Sequence, residues 1–322
     1  MDFTSSKRVL IGAAGTGTAF GAIAALRRVW SEHVYIVAMD VNPRHLVTAS
    51  LLANHFEQVP AVASAQFLDV LAKIIRTHNL NTYMPLLPTE IALVAKLKAQ
   101  NHLPATVSVL TPSPISSAIC ADKLELTRCL SSTGIAVPHT AIASNPFPAD
   151  NYFIKPRKAT GSRGASKISS AQLHNVSGNE ADEWIVQEIC SGPEITVDAF
   201  YSPEQEFLHA VCRERIEVKA GVSTKARLFM NAELEKLAAR LADALQLTGS
   251  FCFQVMRGAS NWVVTDVNPR PGAGTAMCLL TRNDFFAATF AYLWEEDPRV
   301  FFCPINGDVF VTRQYAEFLT AG

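Results

Sequence analysis

Residues 262–274 read WVVTDVNPRPGAG: an apolar, β-branched run that ends in an acid, an amide and a glycine-rich turn. Successive side chains of a strand point to opposite faces, so Asp266 and Asn268 share one face of a strand end. Two neighbouring oxygen donors suit Mg2+, which binds through one or two carboxylates while substrate phosphates and water complete its shell. Gln254, in the strand-like run SFCFQVM (250–256), offers a third oxygen across a hairpin. Arg270, Gly272 and Gly274 follow where a transferred group would sit. A capped hairpin with Asn-Pro as its turn residues is the alternative for the same letters. The pentapeptide DVNPR also occurs at 40–44, but the flanks share only a strand-like lead, which argues against a duplicated unit.

Upstream, KPRKATGSRGASK (155–167) carries Lys155, Arg157, Lys158, Arg163 and Lys167 with no acid among them. Gly161, Ser162 and Gly164 let backbone N–H groups turn towards an anion, and the cations supply the field. The stretch does not match the GxxxxGK[ST] phosphate loop. A solvated basic loop or a nucleic-acid contact is the competing reading, but no aromatic residues interleave the cations as base stacking needs.

The first 110 residues alternate strand and helix. Strands are expected at Arg8–Gly12, His33–Met39, 81–87 and 105–114, and helices at Thr18–Trp30, 67–80 and 88–100. Such a series predicts a Rossmann-like parallel sheet. The loop GAAGTGTAFG (12–21) places Gly15 and Gly17 between a strand and a helix, with Asp40 ending the next strand. A dinucleotide fold puts its pyrophosphate turn and ribose-binding acid at those positions. The spacing is GxGxxxG, and three readings stay open: a tight turn for packing, an NAD site, and a second ligand at the strand ends. Glu90 could recognise an amine or cap the helix that follows it.

From Lys155 onwards the pattern is antiparallel hairpins, with helices expected on one side, so the fold class is α/β followed by α+β. EWIVQEICSGPEITVDAFY (183–201) reads as two strands around a Ser-Gly-Pro turn, and 233–247 as an amphipathic helix. In VCRERIEVKAGVSTKAR, Arg213 and Arg215 are two apart and face one side, with Lys219 following; an exposed strand face is the other reading. The C-terminal stretch 301–322 reads as a closing strand and short helix without assignable chemistry.

Composition bounds the function. The chain has 322 residues, 49% hydrophobic and 18% charged, enough for two or three packed units. Lys plus Arg number 28 against 29 for Asp plus Glu, so no net charge points to nucleic acid or a membrane surface. Seven scattered cysteines without CxxC spacing argue against disulfides or a zinc site and fit a reducing cytoplasm. The eight histidines form no ligand motif. The N-terminal apolar stretch is broken by Gly and Thr, unlike a signal peptide, and no segment has the roughly 18 apolar residues of a membrane span.

Taken in order, IKPRKATGSRGA, VQEICSGPEITVD, GSFCFQV and TDVNPRPG resemble the ATP-grasp superfamily, and within it the branch of the carbamoyl phosphate synthase large subunit and small carboxylate-amine ligases. The resemblance spans nearly the whole chain. It implies an N-terminal Rossmann-like domain over 1–112, a small lid over 113–186 and a C-terminal ATP-grasp unit over 187–322. It further implies that Lys155, assisted by Lys123, contacts the α-phosphate of ATP, and that Gly161, Ser162, Arg163 and Gly164 cover the β- and γ-phosphates. Gln187, Glu188, Ile189 and Cys190 would meet adenine, and Glu194 the ribose. Gln254, Asp266 and Asn268 would hold Mg2+, with Mn2+ as an alternative ion. Arg270 would meet an acyl phosphate, with Arg213, Arg215 and Lys219 nearby, and Gly15, Gly17, Glu90, Gly272 and Gly274 would line the substrate cleft. The implied reaction joins a small carboxylate to an amine, and a homodimer is the candidate assembly. Asp at 266 where most relatives carry Glu, and Gln at 254, favour one metal ion over two. The competing activities are a nucleotide-dependent oxidoreductase on the glycine loop and a non-catalytic nucleotide-binding protein.

Overall fold

The computed structural model describes residues 7–158, 164–173, 178–219, 221–258 and 261–320. Its first part runs β1 (Lys7–Ile11), α1 (Gly17–Trp30), β2 (Val34–Asp40), β3 (His55–Gln58), α2 (Phe67–Thr77), β4 (Thr82–Met84), α3 (Pro88–Ala99) and β5 (Ser108–Val109). The five strands pair in parallel in the order β3-β2-β1-β4-β5. Their side chains alternate between two cores, as the near-continuous apolar strands require. Val9, Ile11, Ile36 and Ala38 pack on α1, whereas Leu10, Val37, Met39 and Tyr83 pack on α2 and α3.

The chain continues with α4 (Pro114–Ala121), α5 (Lys123–Ser132), β6 (Thr140–Ile142), β7 (Asn151–Pro156), β8 (Ser166–Ser169), α6 (Ser170–Leu173) and β9 (Trp184–Gln187). Strands β6, β9, β7 and β8 form an antiparallel sheet in that order. The last part holds β10 (Ser191–Ser202), β11 (Phe207–Lys219), β12 (Val222–Phe229), α7 (Ala232–Leu245), β13 (Gly249–Arg257), β14 (Trp262–Asn268), α8 (Phe285–Leu293) and β15 (Val309–Thr312). These strands build a six-stranded antiparallel sheet, β14-β13-β10-β11-β12-β15.

Four local expectations are corrected. The stretch from Ala121, which reads as a helix stopping at Gly134, holds the shorter α5, separated from α4 by Asp122, whose carboxylate accepts the Leu124 and Glu125 N–H groups as an N-cap. The Ser-Gly-Pro segment is no hairpin turn: β9 and β10 belong to different sheets, and 188–190 crosses between them. The six-stranded sheet carries helices on both faces. Ile195, Val197, Ala199, Phe251 and Phe253 pack on α7, while Phe200, Val211 and Leu228 pack with Phe285 and Ala288 of α8. Beyond β15, residues 313–320 form no helix.

Helix α8 also closes the first sheet's α1 core, to which Phe286 and Phe290 belong. The parallel sheet and the six-stranded sheet thus share one helix. Among the described residues no helix is long and apolar enough to cross a membrane.

Candidate active site

Hydrogen-bond register aligns a polar row on the α8 face of the six-stranded sheet. Asp266 of β14 lies opposite Gln254 of β13, Gln254 opposite Thr196 of β10, and Thr196 opposite Arg213 of β11. Directly opposed residues of antiparallel strands share a face, so these side chains stand side by side. In the neighbouring row Asn268 lies opposite Cys252, and Cys252 opposite Asp198.

The row depends on a β-bulge. The β13–β14 register slips between Gln254 and Val255, pairing Val255 with Val264 and leaving Thr265 as the extra residue. Val264 and Val267 therefore reach the same core although they are three apart, and Asp266 turns to the other face. The bulge also frees the Thr265 carbonyl, which accepts a hydrogen bond from Lys155 Nζ at 2.9 Å. Lys155 sits on β7 of the four-stranded sheet, so this bond bridges two sheets.

Lys155 is 7% exposed. Burial pushes its ammonium down to about 8; the charges of Asp266 and Glu194 pull it up, and that of Lys123 pushes it down further. Among the described residues its hydrogen-bond partner is that one carbonyl, and a buried cation so placed can receive an anion. Nucleotide affinity is accordingly expected to fall as pH rises through about 8, because only the protonated lysine attracts phosphate. Equilibrium binding of ATP on either side of that pH checks this, and Lys155→Arg, which stays charged, should flatten the profile.

Asp266 has one internal partner among the described hydrogen bonds, Asn268 Nδ2 at 3.3 Å. Its remaining lone pairs, with the side-chain oxygens of Asn268 and Gln254, fit the sparse oxygen set that Mg2+ takes when phosphates supply the rest. Arg270 stands close enough to Cys252 to lower that thiol's pKa, although burial still holds the thiol up at about 12. Burial likewise raises Cys212 to about 12. Neither thiol is a ready nucleophile.

Several expected site residues are placed differently. Glu194 forms an ion pair with Arg215, which also donates to Gly221 O at 2.9 Å, and the Glu194 charge reaches Lys155. Arg213, 3% exposed, is anchored to Asp198 Oδ2 at 3.1 Å and Ser223 Oγ at 3.2 Å. It lies beneath Gly274, where a Cβ would overlap its guanidinium. Gly274 therefore makes room for Arg213 and gives no direct evidence of a substrate contact, while Gly272 donates to Thr275 Oγ1.

Lys219 projects into solvent, 61% exposed beside Glu217, beyond a register slip that leaves Ile216 as an extra residue of β11 after Arg215. Glu90 is 1% exposed, accepting from Tyr83 Oη and from the Leu86 and Leu87 N–H groups, so it is the cap of α3 and does not face a substrate. Gly15 and Gly17 remain exposed at the start of α1. Asp40, however, accepts from Gly15 N at 2.7 Å and Asn42 N at 2.9 Å, which occupies the acid an NAD ribose would need.

Lys123, the first residue of α5, lies within electrostatic reach of Lys155. Gln187 turns inward, its amide donating to Thr140 Oγ1 at 2.8 Å. Glu188 is tied to His139 by two hydrogen bonds, backbone N–H to carbonyl at 2.9 Å and carboxylate from N–H at 3.1 Å. Ile189 is exposed and Cys190 half-buried, on the segment that crosses between the sheets. Gly161, Ser162 and Arg163 lie outside the described residues, and Gly164 adopts φ +75° against Trp184.

Sequence reasoning missed Arg313, which follows β15. Its guanidinium donates to Ala273 O at 3.0 Å, and no carboxylate pairs with it among the described residues. Burial pushes its pKa down, and the Arg213 charge adds to that. An arginine at the end of a strand near the C-terminus carries no local signal; only pairing of β15 with β12 brings it to the row's end.

The comparisons agree with this architecture. Residues 120–274 match the ATP-grasp domain family, and the chain carries an ATP-grasp domain over that span. The N5-carboxyaminoimidazole synthetase of Staphylococcus aureus complexed with ADP is similar in structure at TM-score 0.74 and 11% identity, over 92% of this chain and 79% of that one. The N5-carboxyaminoimidazole ribonucleotide synthetase of Thermotoga maritima matches at TM-score 0.65 and 17% identity, over 90% and 76%. An L-amino acid ligase from Bacillus licheniformis matches at TM-score 0.69 and 14% identity, over 89% and 74%. At these identities the likeness is one of fold. No curated protein matches the chain in sequence.

Proposed function

We propose that the chain is an ATP- and Mg2+-dependent carboxylate-amine ligase that joins small, amino-acid substrates through an acyl phosphate, releasing ADP and phosphate. The observation that carries this reading is the facing of buried Lys155 and the Asp266–Gln254–Asn268 oxygens across two sheets of an ATP-grasp domain. The name of the B. licheniformis neighbour supports the amino-acid substrate. The division at 112/113 and 186/187 belongs to the same proposal.

A carboxylate oxygen attacks the γ-phosphorus of ATP and ADP leaves. An amine nitrogen then attacks the acyl carbon, phosphate leaves, and the amide forms with loss of one amine proton. Lys155, with Lys123, holds phosphate charge between the two sheets. Asp266, Asn268 and Gln254 would hold Mg2+, which neutralises phosphate charge when bound. Arg270 and Arg313 mark the anion end of the row, where a substrate carboxylate is oriented. Phosphoryl transfer needs positioning and charge neutralisation more than a protein nucleophile, which fits raised thiols and a row of cations and oxygens.

Incubation with ATP, Mg2+ and an amino-acid pool, followed by product masses, tests the substrate assignment. New masses equal to condensed amino-acid pairs support it, and ATP turnover stimulated only by other carboxylates rejects it. Arg313→Ala is expected to raise KM for the carboxylate on the order of tenfold, the size of a lost charged hydrogen bond, with KM for ATP little changed. Steady-state kinetics with each substrate varied in turn check this.

A further inference from the structure

His55 and Glu57 alternate along β3, the edge strand of the parallel sheet, beside Val37 and Met39 of β2. Val37 and Met39 belong to the core under α2, so both polar side chains look towards that helix. At its end stands His78, whose N–H caps the helix on Ile74 O. Glu57 Oε1 lies 3.2 Å from His55 Nε2 and 2.9 Å from His78 Nε2. The donor atoms of all three lie within 4.8 Å of one another, the one such group of three among the described residues.

We propose that His55, Glu57 and His78 form a site for Zn2+, separate from the ATP-grasp row. Two imidazoles and a carboxylate are a borderline N/O donor set that suits this ion. Tetrahedral coordination at about 2.0–2.1 Å places neighbouring donors roughly 3.3 Å apart. The two histidine–glutamate separations are already close to that spacing, so an ion enters with small side-chain shifts.

The inner ligand is held in place. His78 is buried, its carbonyl accepts from Arg8 Nε at 2.7 Å, and its Nδ1 lies 3.2 Å from Tyr35 Oη. With the metal on Nε2, Nδ1–H donates to that hydroxyl, the outer bond that orients a ligating imidazole. Without the ion, the same Nε2 carries its proton towards Glu57. His55 is 47% exposed and gives solvent a path in, and the fourth position is left to water. Bound there, the ion ties the edge strand to the end of α2.

The test uses metal-stripped, untagged full chain in excess Mg2+, which occupies oxygen-only sites, titrated with ZnCl2 by calorimetry. One equivalent bound, with a raised Tm, is expected. Co2+ in place of Zn2+ should give visible d–d absorption without thiolate charge-transfer bands. His55→Ala, at an exposed position, should weaken Zn2+ binding about tenfold or more and remove the Tm rise, with ATP turnover unchanged; Glu57→Gln should do the same. No binding of Zn2+, thiolate bands with Co2+, or unaltered affinity in both variants would overturn the assignment.

Discussion

Asp266→Ala is expected to lower ATP-dependent ligation by roughly 10²- to 10³-fold, the usual cost of removing one preorganised charge-stabilising group, while leaving the protein folded. The two halves of that expectation rest on separate observations. Asp266 supplies the only carboxylate of the Gln254–Asp266–Asn268 group, so its loss leaves neutral oxygens to hold the ion. Its one internal hydrogen bond is a long one to Asn268 at 3.3 Å, so little folding energy goes with it. Turnover assays paired with thermal melts separate the two effects. A variant that loses activity only because it melts would show a large fall in Tm, and a variant that keeps activity would mean the ion is held elsewhere.

The second large effect is on stability. Gly12 follows β1 directly, where a Cβ would overlap the Glu90 carboxylate. Glu90 cannot step aside, because it is buried and accepts from Tyr83, Leu86 and Leu87, and burial has already raised its pKa. Gly12→Ala is therefore expected to destabilise the chain by about 3 kcal/mol, the upper range for overpacking, read as a shift in the urea midpoint. Glu90→Ala alone should also destabilise, since it leaves the Leu86 and Leu87 donors without their acceptor. The double variant should lose less than the sum of the two, because the overlap is gone; strict additivity would show that the two groups do not meet.

How much of this was legible in the sequence varies with the range of the interactions. Apolar β-branched runs and glycine turns mark β1, β2, β13 and β14, and the four ordered motifs lead to the ATP-grasp domain. Alternation correctly puts Asp266 and Asn268 on one face because the bulge at Thr265 comes before them. The same counting does not carry on to Lys219, because the slip at Ile216 falls between it and Arg215. Motif order carries no partner information: the ion pair of Glu194 with Arg215 emerges only when β10 pairs with β11. Arg313 and the His55–Glu57–His78 group were invisible for a related reason. Each is assembled by contacts between distant segments, and no local spacing encodes them. The β3 strand itself, HFEQ, lacks an apolar alternation because it is an edge strand with partly exposed side chains.

The central claim is that ATP is cleaved between its β- and γ-phosphates at the Lys155–Asp266 row, to activate a carboxylate. The most direct measurement is phosphorus NMR of the nucleotide products during amide formation, run on the wild-type chain beside Lys155→Ala and Asp266→Ala. The account predicts ADP and phosphate in equal amounts with the amide, and neither product from the two variants. AMP and pyrophosphate from the wild type, or undiminished ADP from both variants, would contradict it.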